Sequence, residues 1–218
     1  YTDMPTVLDG FIITSEYTDT EANVIFLEDT NSNITISNNI INGASIVSTE
    51  PLNCYNYVVN MINSDAIITN NQINSGTISS NFSDNCYSYG LSLDESSGVI
   101  TNNVINGNSV IHSPTHLRGI TNSYSSPQIN NNRLLGYHIT TGFSSGYISC
   151  IYNEYSAPLV INNEIDAGDA AGASSGILKG ISNNNSMPVI IGNRIFGGKN
   201  NNASSGIYNG YTTSVIAY

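Results

Sequence analysis

The stretch Gly180–Gly198, GISNNNSMPVIIGNRIFGG, decides how the whole chain is read. Four of its residues, Ile181, Ile190, Asn193 and Ile195, recur upstream at the same internal spacing. They return as Ile151, Val160, Asn163, Ile165, and before that as Ile120, Ile129, Asn132, Leu134. Earlier copies are Leu91, Ile100, Asn103, Ile105, then Val59, Ile68, Asn71, Ile73, then Leu27, Ile36, Asn39, Ile41. Twelve residues separate the first apolar site from the Asn in every copy, while the Asn positions are 32, 32, 29, 31 and 30 apart. A constant core segment therefore carries an insertion of variable length.

A period near thirty residues signals a solenoid, whose units bury their apolar faces only by stacking on one another. Ile, Val, Thr, Tyr, Asn, Ser and Gly dominate the units, and Pro or Gly stands near the boundaries. These residues suit short strands and turns and oppose helix. Each unit reads as one coil of a parallel β-helix, with strands stacked at ~4.8 Å. The expectation is an all-β, right-handed parallel β-helix of about seven coils, roughly 30 residues each, forming a single domain over 1–218.

Asn39, Asn71, Asn103, Asn132, Asn163 and Asn193 form the expected structural ladder, because stacked amides can hydrogen-bond along the axis. The residue before each of them is Asn or Gly, including Gly192, and Gly10 holds the same place in a partial copy at Pro5–Thr14. That choice fits a left-handed backbone at a corner. Ile13, Ile41, Ile73, Ile105, Leu134, Ile165 and Ile195 should then form one continuous internal column.

Composition limits the function. The chain has 218 residues with a net charge of −11, only 10% charged residues and no basic stripe, which argues against nucleic acid. No apolar run approaches the ~20 residues that span a bilayer as a helix. The pattern starts and stops within a coil, as expected of a piece of a longer chain. Cys54 and Cys86 are 32 residues apart, at equivalent sites in NCYNY and NCYSY. Stacking brings their Cα atoms to ~5 Å, within disulfide range. Parallel Cβ vectors favour stacked thiols, with a disulfide as the alternative. Cys150 reads as a small buried thiol, and the three cysteines do not make a zinc site.

Arg133, Glu164 and Arg194 follow the corner Asn in successive coils, which predicts an exposed ladder of alternating charge. Tyr124, Tyr155 and Tyr211 share the fourth position after the core apolar site. They are the candidate binding wall, where flat rings could stack on sugars or partner side chains; the alternative is a stack that shields the turn. Asp94 and Glu154 share an exposed position two coils apart, ~10 Å, with Ser123 between them. That separation lies at or beyond the upper edge for a paired-carboxylate inverting site. The three histidines, His112, His116 and His138, read as residues of insertions that do not align with one another.

The V-I-x-N-N-x-I-x-G unit resembles the right-handed parallel β-helix repeat of the pectin-lyase-like superfamily. With the GIYN and SSP elements it is similar to the degenerate repeats of bacterial surface and secreted β-helix proteins. The resemblance implies a fold and an extracellular or bacterial cell-surface location, but not one activity, since this scaffold serves lyases, hydrolases, adhesins and tailspikes. Hydrolases of the fold carry Asn-x-Asp, Asp-Asp, His-Gly and Arg-x-Lys motifs. Here only Asn63-Ser64-Asp65 matches. The expected function is a non-catalytic surface or secreted module that binds a polysaccharide or a host or cell-surface protein along one wall, without a cofactor. The alternatives are a solenoid that self-associates end to end, and a polysaccharide lyase- or hydrolase-like enzyme.

Overall fold

A computed structural model describes residues 4–16, 20–48, 53–80, 86–107, 109–111, 116–141, 146–170, 176–199 and 203–218. These form an all-β parallel solenoid of about 31 residues per turn. Sheet A stacks eight short strands, from Thr6–Asp9 to Val215–Ala217. Sheet C stacks seven longer strands, from Glu21–Glu28 to Ala203–Gly210. Sheet B follows the corner asparagines, from Ile12–Thr14 to Arg194–Phe196, and includes an outer column that runs through Ile46–Ser48 and Ile78–Ser80. The long strand Arg133–Thr141 belongs to both columns. No helix of the described residues is long and apolar enough to cross a membrane.

The internal column is present as expected. Ile13, Ile41, Ile73, Ile105, Leu134, Ile165 and Ile195 pair in unbroken register. The five central members are buried, and the two end members pack against the same core cluster. About five coils are fully enclosed, fewer than the seven expected. The buried corner amides run from Asn39 to Asn163, whereas Asn193 is half-buried next to an open end.

Coil one departs from the constant spacing. Val59 pairs with Ile25, and Leu27 pairs with Met61. The corner between Glu28 and Thr35 holds two more residues than its counterpart between Ile62 and Ile67, so the strand before it slides by two. A shift of two keeps the same side chains facing inward, and the core tolerates it.

Both kinds of corner are left-handed. Asn38, Asn70, Asn102, Asn131 and Asn162 have φ between 53° and 57°, and Gly10 and Gly192 occupy the same position at 77° and 64°. Each following Asn links the rungs. Asn71 Oδ1 accepts from Asn39 N at 2.9 Å and Asn39 Nδ2 at 3.0 Å, while Asn71 Nδ2 donates to Ile36 O and to Asn103 Oδ1. The pattern repeats through Asn132 and Asn163 to Asn193.

Cys54 and Cys86 are joined by a disulfide, which corrects the expectation of two thiols. They are directly paired with Cα atoms 4.5 Å apart, so the bond needs no backbone displacement. With Ile46 and Ile78 they form a separate small core. Cys150 is a buried thiol whose Sγ contacts Asp166 O at 3.0 Å; burial first, and Asp166 second, push its pKa well up. The charge ladder also stands, with Glu164 3.8 Å from Arg133 and 3.7 Å from Arg194.

Three outcomes test this packing. Ile165→Asp should abolish a cooperative unfolding transition in circular dichroism melts, since burying such a side chain contributes ~1.5–3 kcal/mol before any charge penalty. Glu164→Gln, one residue away and outward, should change stability by less than ~1 kcal/mol. Reducing the Cys54–Cys86 bond should lower stability by about 2–4 kcal/mol in denaturant titrations run with and without a thiol.

Candidate functional site

The outer face of sheet C gathers side chains from coils about thirty residues apart into columns. The first column is Tyr55, Tyr87, His116 and Tyr147, in direct register. Their rings stack nearly parallel, with centroids 4.9, 5.1 and 5.7 Å apart. The second column is Tyr57, Tyr89, Arg118, Ser149 and Lys179. The third contains Thr121, Tyr152, Ser182 and Tyr208.

A cation motif occurs twice across these columns. Arg118 lies over the ring of Tyr152, one coil further on, at 3.6 Å, and Lys179 lies over Tyr208 at 3.6 Å in the same relation. Ser149 stands between the two cations, and its small side chain leaves a half-open cleft of about 250 Å³. His116, Tyr147 and Asn184 line its sides. Lys179 Nζ also reaches Ser182 Oγ at 3.5 Å.

Burial sets the protonation of this face. It raises Tyr57 to about 12 and pushes Tyr87, Tyr89 and Tyr152 upward, so these hydroxyls remain donors at neutral pH. Burial, helped by the nearby Arg118 charge, lowers His116 to about 4 and holds Lys179 below the usual lysine range.

The sequence-derived candidates lie elsewhere. Tyr124, Tyr155 and Tyr211 occupy the C-to-A corner in left-handed conformation, at φ 49°, 48° and 52°. Asp29, Asn63, Glu95 and Asn185 hold the same conformation, so this is a backbone corner first. Tyr124 and Tyr155 stack on each other at 5.1 Å and 7°, and each covers one face of its neighbour. Tyr211 is 92% exposed and stands apart, with Asn185 in the intervening coil. Asp94 and Glu154 are not brought together: Ser123 separates them in register, and Asn184 Nδ2 donates to Glu154 Oε1 at 3.3 Å. Asn63-Ser64-Asp65 serves the corner, where Asn63 Nδ2 donates to Asp29 Oδ1 and Asp65 Oδ1 accepts from Ser97 N.

His116 does not sit in an insertion. It opens the strand His116–Ser123 and aligns with Tyr87 and Tyr147; His138 lies exposed in Arg133–Thr141, and His112 falls outside the described residues. The sequence did hold a signal for the first column: Tyr55 and Tyr87 follow the two paired cysteines at the same spacing of 32.

No protein-family model matches the chain, and no curated protein sequence does either. A solved structure of QnrB1, a plasmid-mediated fluoroquinolone resistance protein, is similar at 9% identity and a TM-score of 0.20, covering 92% of this chain and 91% of that one. A likeness at that level carries no argument about function.

The His116 environment is directly testable. Its imidazole should titrate near pH 4 by NMR, and Arg118→Met should raise that midpoint while leaving it below the ordinary 6.5, because burial is the larger cause. The unfolded chain takes up this proton near pH 6.5 and the folded protein only near 4. This group's share of stability is therefore present above pH 6.5 and is lost as pH falls from about 6.5 to about 4.

Proposed function

We propose that the chain is a non-catalytic β-helix module of the cell exterior that holds an extended carbohydrate along the outer face of sheet C. The observation that carries this reading is the ring column Tyr55–Tyr87–His116–Tyr147, which continues into the Arg118–Lys179 cleft. A straight row of polar groups at strand spacing suits a linear polymer. The rings cover one another's faces, so they offer their polar edges, and contact runs through hydrogen bonds more than through ring-on-sugar stacking.

A protein partner would ask for an apolar centre to the patch. The cleft instead carries Ser149, Ser182 and Asn184 among its tyrosines and cations. The non-catalytic part of the reading rests on Asp94 and Glu154, which are held apart by Ser123 and have no basic residue between them. An extracellular or cell-surface location is supported by the Cys54–Cys86 disulfide, a bond that persists in oxidising surroundings. Kinship with the pectin-lyase-like superfamily belongs to the same proposal and is supported by the V-I-x-N-N-x-I-x-G repeat.

A glycan array tests it. The wild-type chain should bind a discrete set of linear glycans. Tyr87→Ala and Tyr147→Ala should each weaken binding roughly three- to tenfold, the worth of a lost hydrogen bond. Tyr155→Ala, at the corner, should leave binding unchanged. A flat array would overturn the reading, and loss with Tyr155→Ala alone would move the site to the corner.

A further inference from the structure

We infer that the cleft between Arg118 and Lys179 is an oxyanion site, which takes a sulfate, phosphate or carboxylate group between the two side chains. That the group is a substituent of a glycan rests on the carbohydrate reading above; that the cleft takes an oxyanion does not.

The chain carries 16 acidic residues against 5 lysines and arginines, so a cation would ordinarily sit beside a carboxylate. Arg133 and Arg194 do so, through Glu164. Among the described residues, neither Arg118 nor Lys179 is within ion-pair distance of any carboxylate. Glu154, on the intervening coil, is engaged by Asn184. Burial and the Arg118 charge together hold Lys179 below its ordinary value, the behaviour of a cation with no counter-charge.

Each cation lies close over one ring face, Tyr152 under Arg118 and Tyr208 under Lys179, both at 3.6 Å, with Tyr89 and Tyr147 further off at 5.6 and 5.8 Å. A guanidinium lying over a ring face can still donate its in-plane N–H groups sideways. Both side chains are thereby placed before any ligand arrives, and little rotamer freedom is lost on binding.

Arg118 and Lys179 are separated by one coil, roughly 10 Å along the axis, and the residue between them is Ser149. A larger side chain there would fill the gap. With serine, the cleft has room for one substituent and a hydroxyl on its floor. Planar, forked recognition by Arg with a point charge from Lys suits an oxyanion held from two sides.

The probes are inorganic sulfate, inorganic phosphate and acetate, titrated at constant ionic strength against chloride, with the Arg118 and Lys179 side-chain NMR signals observed. Saturable shifts of both sets with at least one probe are expected, and the strongest probe names the substituent. Lys179→Met and Arg118→Gln should each weaken that binding roughly tenfold or more, the scale of a lost charge-assisted hydrogen bond. Ser149→Leu keeps both charges and should abolish binding by filling the cleft; unchanged thermal unfolding of Lys179→Met excludes a folding defect in that variant. No saturable shift with any of the three probes would overturn the site. A paired array of charged glycans and their neutral counterparts separates the two readings. Equal binding of both members would overturn the assignment of the oxyanion to a glycan substituent and leave the carbohydrate reading standing. Saturable inorganic anion binding with a flat array would support the site and overturn the carbohydrate reading.

Discussion

Each corner asparagine has its hydrogen-bonding capacity committed to neighbouring coils, and the stack depends on that commitment. Asn71 accepts twice from Asn39 and donates to Asn103, to Ile36 O and to Thr69 O. Such an amide has no access to water, so a slipped coil would strand donors at about 1–3 kcal/mol apiece. Apolar packing alone would accept a shift of two residues, as coil one shows with Ile25 and Leu27. The amides do not. They hold sheets A and B in step, and that alignment is what superimposes residues thirty positions apart on the opposite face of the coil.

The second corner uses a different device. Five serines follow the left-handed residues Asn63, Glu95, Tyr124, Tyr155 and Asn185, and successive ones are linked: Ser64 N donates to Ser96 Oγ, Ser96 N to Ser125 Oγ, Ser125 N to Ser156 Oγ and Ser156 N to Ser186 Oγ. The backbone is thus fixed by the serine, and the residue before it is free to vary. A tyrosine there accepts an uncommon conformation, offset by the serine ladder and, for Tyr124 and Tyr155, by mutual stacking. This explains why three tyrosines share one sequence position although only Tyr124 and Tyr155 stack on each other.

What could be read from the sequence was whatever repeats in kind. The isoleucine column and the asparagine ladder show the same residue at the same place in every copy, and both stand in the structure. The outer columns of sheet C repeat in position only: Tyr57, Tyr89, Arg118, Ser149 and Lys179 share a column with four residue types among them. Solvent imposes no common choice there, so the column emerges only when the coils are superimposed. For the same reason His116 reads as part of an insertion, since its register partners are tyrosines. The cysteine pair was legible as a juxtaposition, and the bond itself required the directions of the two side chains.

The stacked rings have one more consequence, for light. The chain has no tryptophan and 14 tyrosines, and seven of them, Tyr55, Tyr57, Tyr87, Tyr89, Tyr147, Tyr152 and Tyr208, stand on the outer face of sheet C. Rings this close share their excitation, so a photon absorbed at Tyr55 can be emitted from Tyr87. Half of the chain's tyrosines thus report from a single surface of the molecule, and the protein carries its own label there.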